Sequence, residues 1–418
     1  MASQISTIPP ARGADLRERL GQYAFIAAFV SCVAQVVAIF VAHIGLVAAC
    51  LGLAASRERI RMPPVAVPLF GFALWTALSL AFSDDPAAGL PQARKLFVFL
   101  VLPVVYSLFQ TMGRIQRLLE AMFVATLAGS VTAIGQFAWK AAEAYATGAS
   151  FYDSYVGRRI TGFFSHWMTF SQVLLMIALV LASYLLFYRW RRPARGVWVG
   201  AGVVLGLALI LSGTRSVWAA ASLGGIYLVW NWKPRLLWAA PIGLLLLAVV
   251  SPGLVKQRLL SVTEPASYEN RFLMWRTGAQ MMQAHPWFGV GPERVAARFD
   301  EFQPEGNQRR PSGYYAHLHN IVIHYAAERG IPAAIFIVWL LVKVLVDHVS
   351  AARRRGRLDD PRSWVFHGVA AATLGLMGAG MFDQSLGDSE VLGTYLVLVA
   401  LGYRAMTPGA GGSTVEAG

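Results

Sequence analysis

Apolar stretches long enough to cross a lipid bilayer recur through the whole chain, and no other feature narrows its possible folds so far. They fall near 22–41, 42–56, 64–82, 94–111, 115–138, 166–188, 197–212, 216–231, 234–250, 319–346, 364–382 and 388–404. Inside hydrocarbon a segment must satisfy its own backbone N–H and C=O groups, which a helix of about 17 to 25 residues does. Charged residues make up 14% of the 418 positions, whereas soluble domains carry about 25%. The expected fold class is all-α: a polytopic membrane protein with about 12 transmembrane helices. A large outer loop, itself containing helix, lies between the ninth and tenth.

The basic residues set the sides. Arg12/Arg17/Arg19, Arg57/Arg59/Arg61, Arg114/Arg117, Arg189/Arg191/Arg192/Arg195, Lys233/Arg235, the cluster from Arg353 to Arg357, and Arg404 gather in alternate loops. Positive charge marks the cytoplasmic side, which puts both termini inside. The organisation that follows is helices one to nine over 1–250, an outer loop with an amphipathic helix over 251–318, helices ten to twelve over 319–405, and a disordered tail over 406–418. No small-residue cleavage site follows the first arginines, so two passes are expected there rather than a signal peptide. Cys32 and Cys50 both lie in that apolar stretch and read as packing residues, not as a disulfide framework. The net charge of +14 fits anchoring to anionic membrane lipids. No aromatic-rich nucleic-acid motif accompanies it, so nucleic acid is not an expected partner.

The outer side carries cations that work against this rule: Arg94-Lys95, Arg158-Arg159, Arg215, and Arg271 and Arg276 in the long loop. Lys140 and Lys256 are explained by snorkelling to headgroups, but a whole set resembles an anion site. Ser212-Gly213-Thr214-Arg215-Ser216 makes a tight outer turn, and Arg215 at a helix N-terminus suits a phosphate. Apolar residues at 272, 275, 279 and 282 have helical spacing, so this part of the loop is expected to form an amphipathic helix ended by Pro286. Beyond it stands His317-Leu318-His319-Asn320, opening an apolar helix. An imidazole that takes a proton near neutral pH, close to guanidiniums that grip phosphate, points to group transfer from a phosphorylated donor. On a helix, residues two apart point about 200° from one another, so His317 and His319 are not expected to share a metal unless that turn is irregular. Asp383, ending an apolar helix on the outer side, is placed to orient a histidine or balance arginines. A transporter or flippase of twelve helices is the rival class, but it calls for charges and broken helices at mid-bilayer.

At these residues the chain resembles the bacterial O-antigen ligase family, in the superfamily that also holds O-antigen polymerases. The family pattern is His followed by Asn, Ser or Gln, nine residues, Gly, two residues, and Gly, Thr or Tyr. Here His319-Asn320 is followed by Gly330, with Ala333 in the last position. The Gly213-Thr214-Arg215-Ser216 turn, the Arg271…Trp275 step and the His285–Gly291 run are also similar to the superfamily. The resemblance implies a glycosyltransferase of the bacterial inner membrane with a periplasmic active site. It would move polysaccharide from an undecaprenyl-pyrophosphate-linked O-antigen donor to a lipid A-core acceptor, or, as a polymerase, to a second lipid-linked glycan. It further implies His319 as base, His317 and Asn320 in support, and Arg215 as the leading pyrophosphate clamp with Arg271 and Arg276. No cofactor and no metal are expected, because arginines neutralise the leaving group.

Overall fold

The structure, a computed structural model, describes residues 12–190, 192–239, 257, 266–304, 317–355 and 360–407. They form α1 (Arg12–Ala34), α2 (Ile39–Ser56), α3 (Ala66–Ala81), α4 (Pro86–Lys95), α5 (Val101–Leu108), α6 (Met112–Thr147), α7 (Phe151–Gly157), α8 (Trp167–Phe187), α9 (Arg192–Leu211) and α10 (Arg215–Trp232). After them come α11 (Ala266–Ala284), α12 (Ile321–Arg329), α13 (Ile331–Arg355), α14 (Ser363–Gly380) and α15 (Ser389–Met406). The protein is all-α with membrane-spanning helices. Helix lies in every apolar segment read from the sequence except 234–250, of which a 3₁₀ stretch over Pro234–Ala239 is described. Among the described residues, six helical stretches are long and apolar enough to cross a membrane: Ile39–Ser56, Pro86–Leu108, Met112–Thr147, Trp167–Phe187, Ala194–Leu211 and Ile331–Arg354. The tail expected to be disordered lies, from 408 on, outside the described residues.

α8 is the centre of the bundle. Its span is 78% buried inside the protein, against 22% for Ala194–Leu211 of α9; a helix apolar all round has no need of a solvent face. α14 packs against α8, α10 and α13. That closeness comes from small residues: a β-carbon on Gly375 would sit 2.8 Å from Leu179 Cδ1, and one on Gly224 of α10 3.0 Å from Ala371 O. In lipid, such close backbone approach is a main source of helix association.

Two expected helices are broken. Residues 94–111 pass from α4 through a 3₁₀ turn over Leu96–Leu100 into α5. The tenth segment starts at Ile321, not His319, and splits at Gly330 into α12 and α13. Gly330 has φ 90°, and a β-carbon there would lie 1.9 Å from Trp287 O. Close docking of another strand of chain forces that break, and apolarity alone does not reveal it.

The docking chain is the His285–Gly291 run. Val290 N and Gly291 N donate to Ala327 O and Glu328 O, both at 2.9 Å, and Ile331 N donates to Pro286 O at 2.9 Å. From the other side, Trp75 Nε1 donates to Trp287 O at 2.8 Å and Ser79 Oγ to Phe288 O at 2.6 Å. Beneath it a buried ion pair joins Arg329 Nε to Glu328 Oε2 at 2.9 Å. Arg329 also donates to Thr76 and Gln92, each at 3.1 Å, while Glu328 Oε1 accepts from Glu293 N at 2.9 Å. These bonds tie α3, α4 and α12 to the loop that carries α11. Met274, Met281, Val295, Phe299 and Leu318 form a small second core there.

Candidate active site

The segment before α12 is a turn. Asn320 caps the helix, its Oδ1 accepting from Val322 N and Ile323 N at 3.0 Å each. Its Nδ2 donates to Met381 O at 3.2 Å, fastening the start of α12 to the end of α14. His319 adopts φ 48°, a left-handed conformation that costs a residue with a β-carbon on the order of 1 to 3 kcal/mol and gathers at functional sites. The turn swings both imidazoles the same way. His317 Nε2 lies 3.4 Å and His319 Nδ1 3.5 Å from one oxygen, Oδ1 of Asp383, and the two rings are 4.5 Å apart.

This geometry corrects the helical argument against a shared metal. His317, His319 and Asp383 offer ligand atoms that all lie within 4.8 Å of one another, because the backbone at His319 is not helical. These three groups have the ligand types and the spacing to hold a metal ion. The contacts to Asp383 are longer than the roughly 2.7–2.9 Å of a tight charge-assisted bond; hydrogen bonds of this kind often close up only around substrate.

Asp383 is buried, with 6% exposure. Its Oδ2 accepts from Gln172 Nε2 on α8 at 2.5 Å. Burial alone pushes its carboxyl up, but the hydrogen bonds and charges of His317 and His319 outweigh it and hold the group below its ordinary range. Thus it is a fixed carboxylate between two imidazoles.

The first turns of α8 line the same place. Thr169 Oγ1 donates to Asp388 Oδ2 at 2.6 Å. His166 caps the helix through Nδ1, which accepts from Met168 N at 3.2 Å, and its ring stacks on Trp167 at 4.2 Å. Burial lowers the His166 pKa, opposed by the charges of Asp388 and Asp383. Sequence reasoning missed His166, Trp167, Thr169 and Gln172. The signal was present: His166, Thr169 and Gln172 follow i, i+3, i+6 spacing, one polar face on the opening of an otherwise apolar helix.

The cations divide into two groups. Arg159 donates to Thr214 Oγ1 at 3.3 Å and lies over the Trp167 ring at 4.8 Å. Thr214 is 3.2 Å from Ser171 Oγ, the neighbour of Gln172, so Arg215 at the start of α10 stands on the same part of α8 as Asp383. Arg271 of α11 lies 5.4 Å from the Phe382 ring and interacts with Asp383. Lys95 donates to Gly387 O at 3.1 Å, beside Asp388. The remaining expected cations are not drawn in: Arg94 and Arg276 are exposed, the latter about 140° round α11 from Arg271, and Arg158 lines a separate cavity. Arg294 and Arg298 pair with Asp84 and Glu301, and Arg309 and Arg310 lie outside the described residues.

A buried carboxylate orienting two imidazoles beside several guanidiniums can move a proton and steady a departing anion. Residues 200–338 match the model of the O-antigen ligase family. The match spans both the Gly213–Arg215 turn and the His317–Asn320 segment, and it supports placing the chain in the O-antigen ligase and polymerase superfamily. A search of curated proteins gives no match.

Proposed function

We propose that this chain is an O-antigen ligase: an inverting glycosyltransferase that moves polysaccharide from undecaprenyl pyrophosphate to lipid A-core at the periplasmic face of the bacterial inner membrane. It crosses the membrane about twelve times with both termini in the cytoplasm. The observation that carries this reading is the convergence of His317 and His319 on Asp383, the two histidines lying within the match to the ligase family.

His319 is the general base. With Nδ1 donating to Asp383, its Nε2 holds the lone pair and takes the proton of the acceptor hydroxyl. That oxygen attacks the anomeric carbon, the bond to the pyrophosphate oxygen breaks, and the anomeric configuration inverts in a single displacement. Negative charge gathers on the undecaprenyl pyrophosphate, where Arg215 leads and Arg159, Arg271 and Lys95 assist. Pyrophosphate is already a good leaving group, so no nucleotide is required. General-base help contributes roughly 10²–10⁴-fold, and fixed cations at the developing charge are often the larger share. His317 completes the carboxylate's hydrogen bonding and orients the acceptor.

Assays of His319→Ala and His317→Ala at equal protein levels test this assignment. His319→Ala should lose about 10²-fold or more in rate and His317→Ala less. Near-normal transfer by His319→Ala with a dead His317→Ala would show that the other imidazole is the base. An O-antigen polymerase uses the same donor and chemistry with a lipid-linked acceptor, so the identity of the product separates the two.

A further inference from the structure

Away from the His–Asp site, the end of α6 and α7 form an open pocket of about 160 Å³, lined among others by Lys140, Glu143, Thr147, Ser154, Tyr155 and Arg158. Lys140 and Arg158 are close enough for their charges to repel. Among the described residues neither side chain makes an ion pair or a hydrogen bond, and one acid, Glu143, faces two cations. Two like charges lining one cavity make a place that an anion relieves.

Its depth says which anion. α6 has 36 residues, about 54 Å of helix against about 30 Å of hydrocarbon. It starts beside Arg114 and Arg117, so its last turns emerge at the opposite headgroup layer. Trp139 and Tyr145 flank the cavity with 66% and 91% exposure, as aromatic residues do at a membrane interface. The cavity floor also adjoins the Ser212–Ser216 turn. Tyr155 OH donates to Leu211 O at 2.6 Å, just before Ser212, and Arg159, next to Arg158, donates to Thr214.

We propose that Lys140 and Arg158 bind the phosphoryl group of an outer-leaflet lipid, a phosphomonoester or phosphodiester at headgroup level. Arg158 and Arg159 thereby serve two places, one gripping the membrane lipid and the other facing the transfer site. The proposal rests on the membrane-spanning fold and not on which glycan is transferred, so its failure leaves the ligase reading intact.

The test is native mass spectrometry of the delipidated full chain in neutral detergent, titrated separately with dioleoyl phosphatidic acid, dioleoylglycerol and inorganic phosphate. One equivalent of phosphatidic acid should bind at least tenfold more tightly than either other probe. Lys140→Gln/Arg158→Gln should weaken it at least tenfold, whereas Lys140→Arg/Arg158→Lys retains it. Arg57→Gln/Arg59→Gln, the same charge change in an inner loop, should leave it unchanged. Retention by the Gln pair, or equal loss in the Arg57/Arg59 control, overturns the site. Equal binding of inorganic phosphate overturns its assignment to a lipid.

Discussion

Asp383 and the guanidiniums around it set what single substitutions should do. One oxygen faces both imidazoles and the other is held by Gln172, so Asp383→Asn presents a donor where His319 expects an acceptor. Transfer should fall by roughly tenfold or more, since the base loses the partner that fixes its tautomer. Arg215→Ala should lose most activity and Arg215→Lys recover only part, because a point charge does not replace the guanidinium's fork; full activity in Arg215→Ala would remove it from the site. Chelators decide between proton and metal at the His317–His319–Asp383 triad. The base reading predicts an unchanged rate, whereas inactivation reversed by added zinc would make the triad a metal centre. Acid stability follows from the shifts. Asp383 lies below its ordinary 3.8, so the stability it adds is complete above that value and is lost only as pH falls through its lower folded value. His166 lies below its ordinary 6.5, chiefly through burial. Its neutral form favours the fold above 6.5, and stability drops as pH falls from there towards the folded value. Melting at pH 7.5 and 5.5 should show a smaller acid loss in His166→Gln than in the parent; equal losses would remove His166 from the account.

At the scale of elements, the outer loop is held to the bundle by the knot at Glu328, Arg329 and Gly330. Removing one partner of a buried ion pair strands the other, at a cost of roughly 3–5 kcal/mol. Glu328→Gln and Arg329→Met should therefore lower the melting temperature clearly, and transfer with it, because α11 brings Arg271 to Asp383. Gly330→Ala meets Trp287 O and a left-handed φ together and should be at least as damaging; a melting curve like the parent's would refute the tight docking. Much at this scale was legible in sequence. The 3.6 period at 272–282 foretold α11 (Ala266–Ala284), and long apolar runs foretold the six described helices that are long and apolar enough to cross a membrane, half of the twelve expected. The break at Gly330 was not legible, since it depends on Trp287 arriving from more than forty residues away. The convergence of the histidines was hidden for a related reason: local spacing assumes a helix, and the left-handed turn at His319 exists because Asn320 caps α12 and ties it to Met381. The polar face of α8 went unread among its apolar neighbours.

For the whole molecule, the bundle separates two chemistries. Arg61, Arg114 and Arg404 gather at one end, bonded to Ser107, Leu108 and Gln110, while His317, His319, Asp383, Arg159 and Lys95 gather around the start of α8 and the end of α14. By the positive-inside rule, the proposed topology puts the first end on the cytoplasmic side. In a protein with Cys32 and Cys50 replaced, an impermeant thiol reagent added from the periplasm should label a cysteine at position 301 and miss one at 354; the reverse pattern would invert the topology. Sequence alone could place the class of fold and point to the family whose model matches residues 200–338, because both rest on long runs and short motifs. The acceptor was not legible, since no single motif reads it. The most direct test of the central claim supplies both lipids to the purified protein: undecaprenyl-pyrophosphate-linked glycan and lipid A-core, without nucleotide or added metal. The account predicts glycan on the core with release of undecaprenyl pyrophosphate; a longer glycan still on its carrier, with the core untouched, would contradict it.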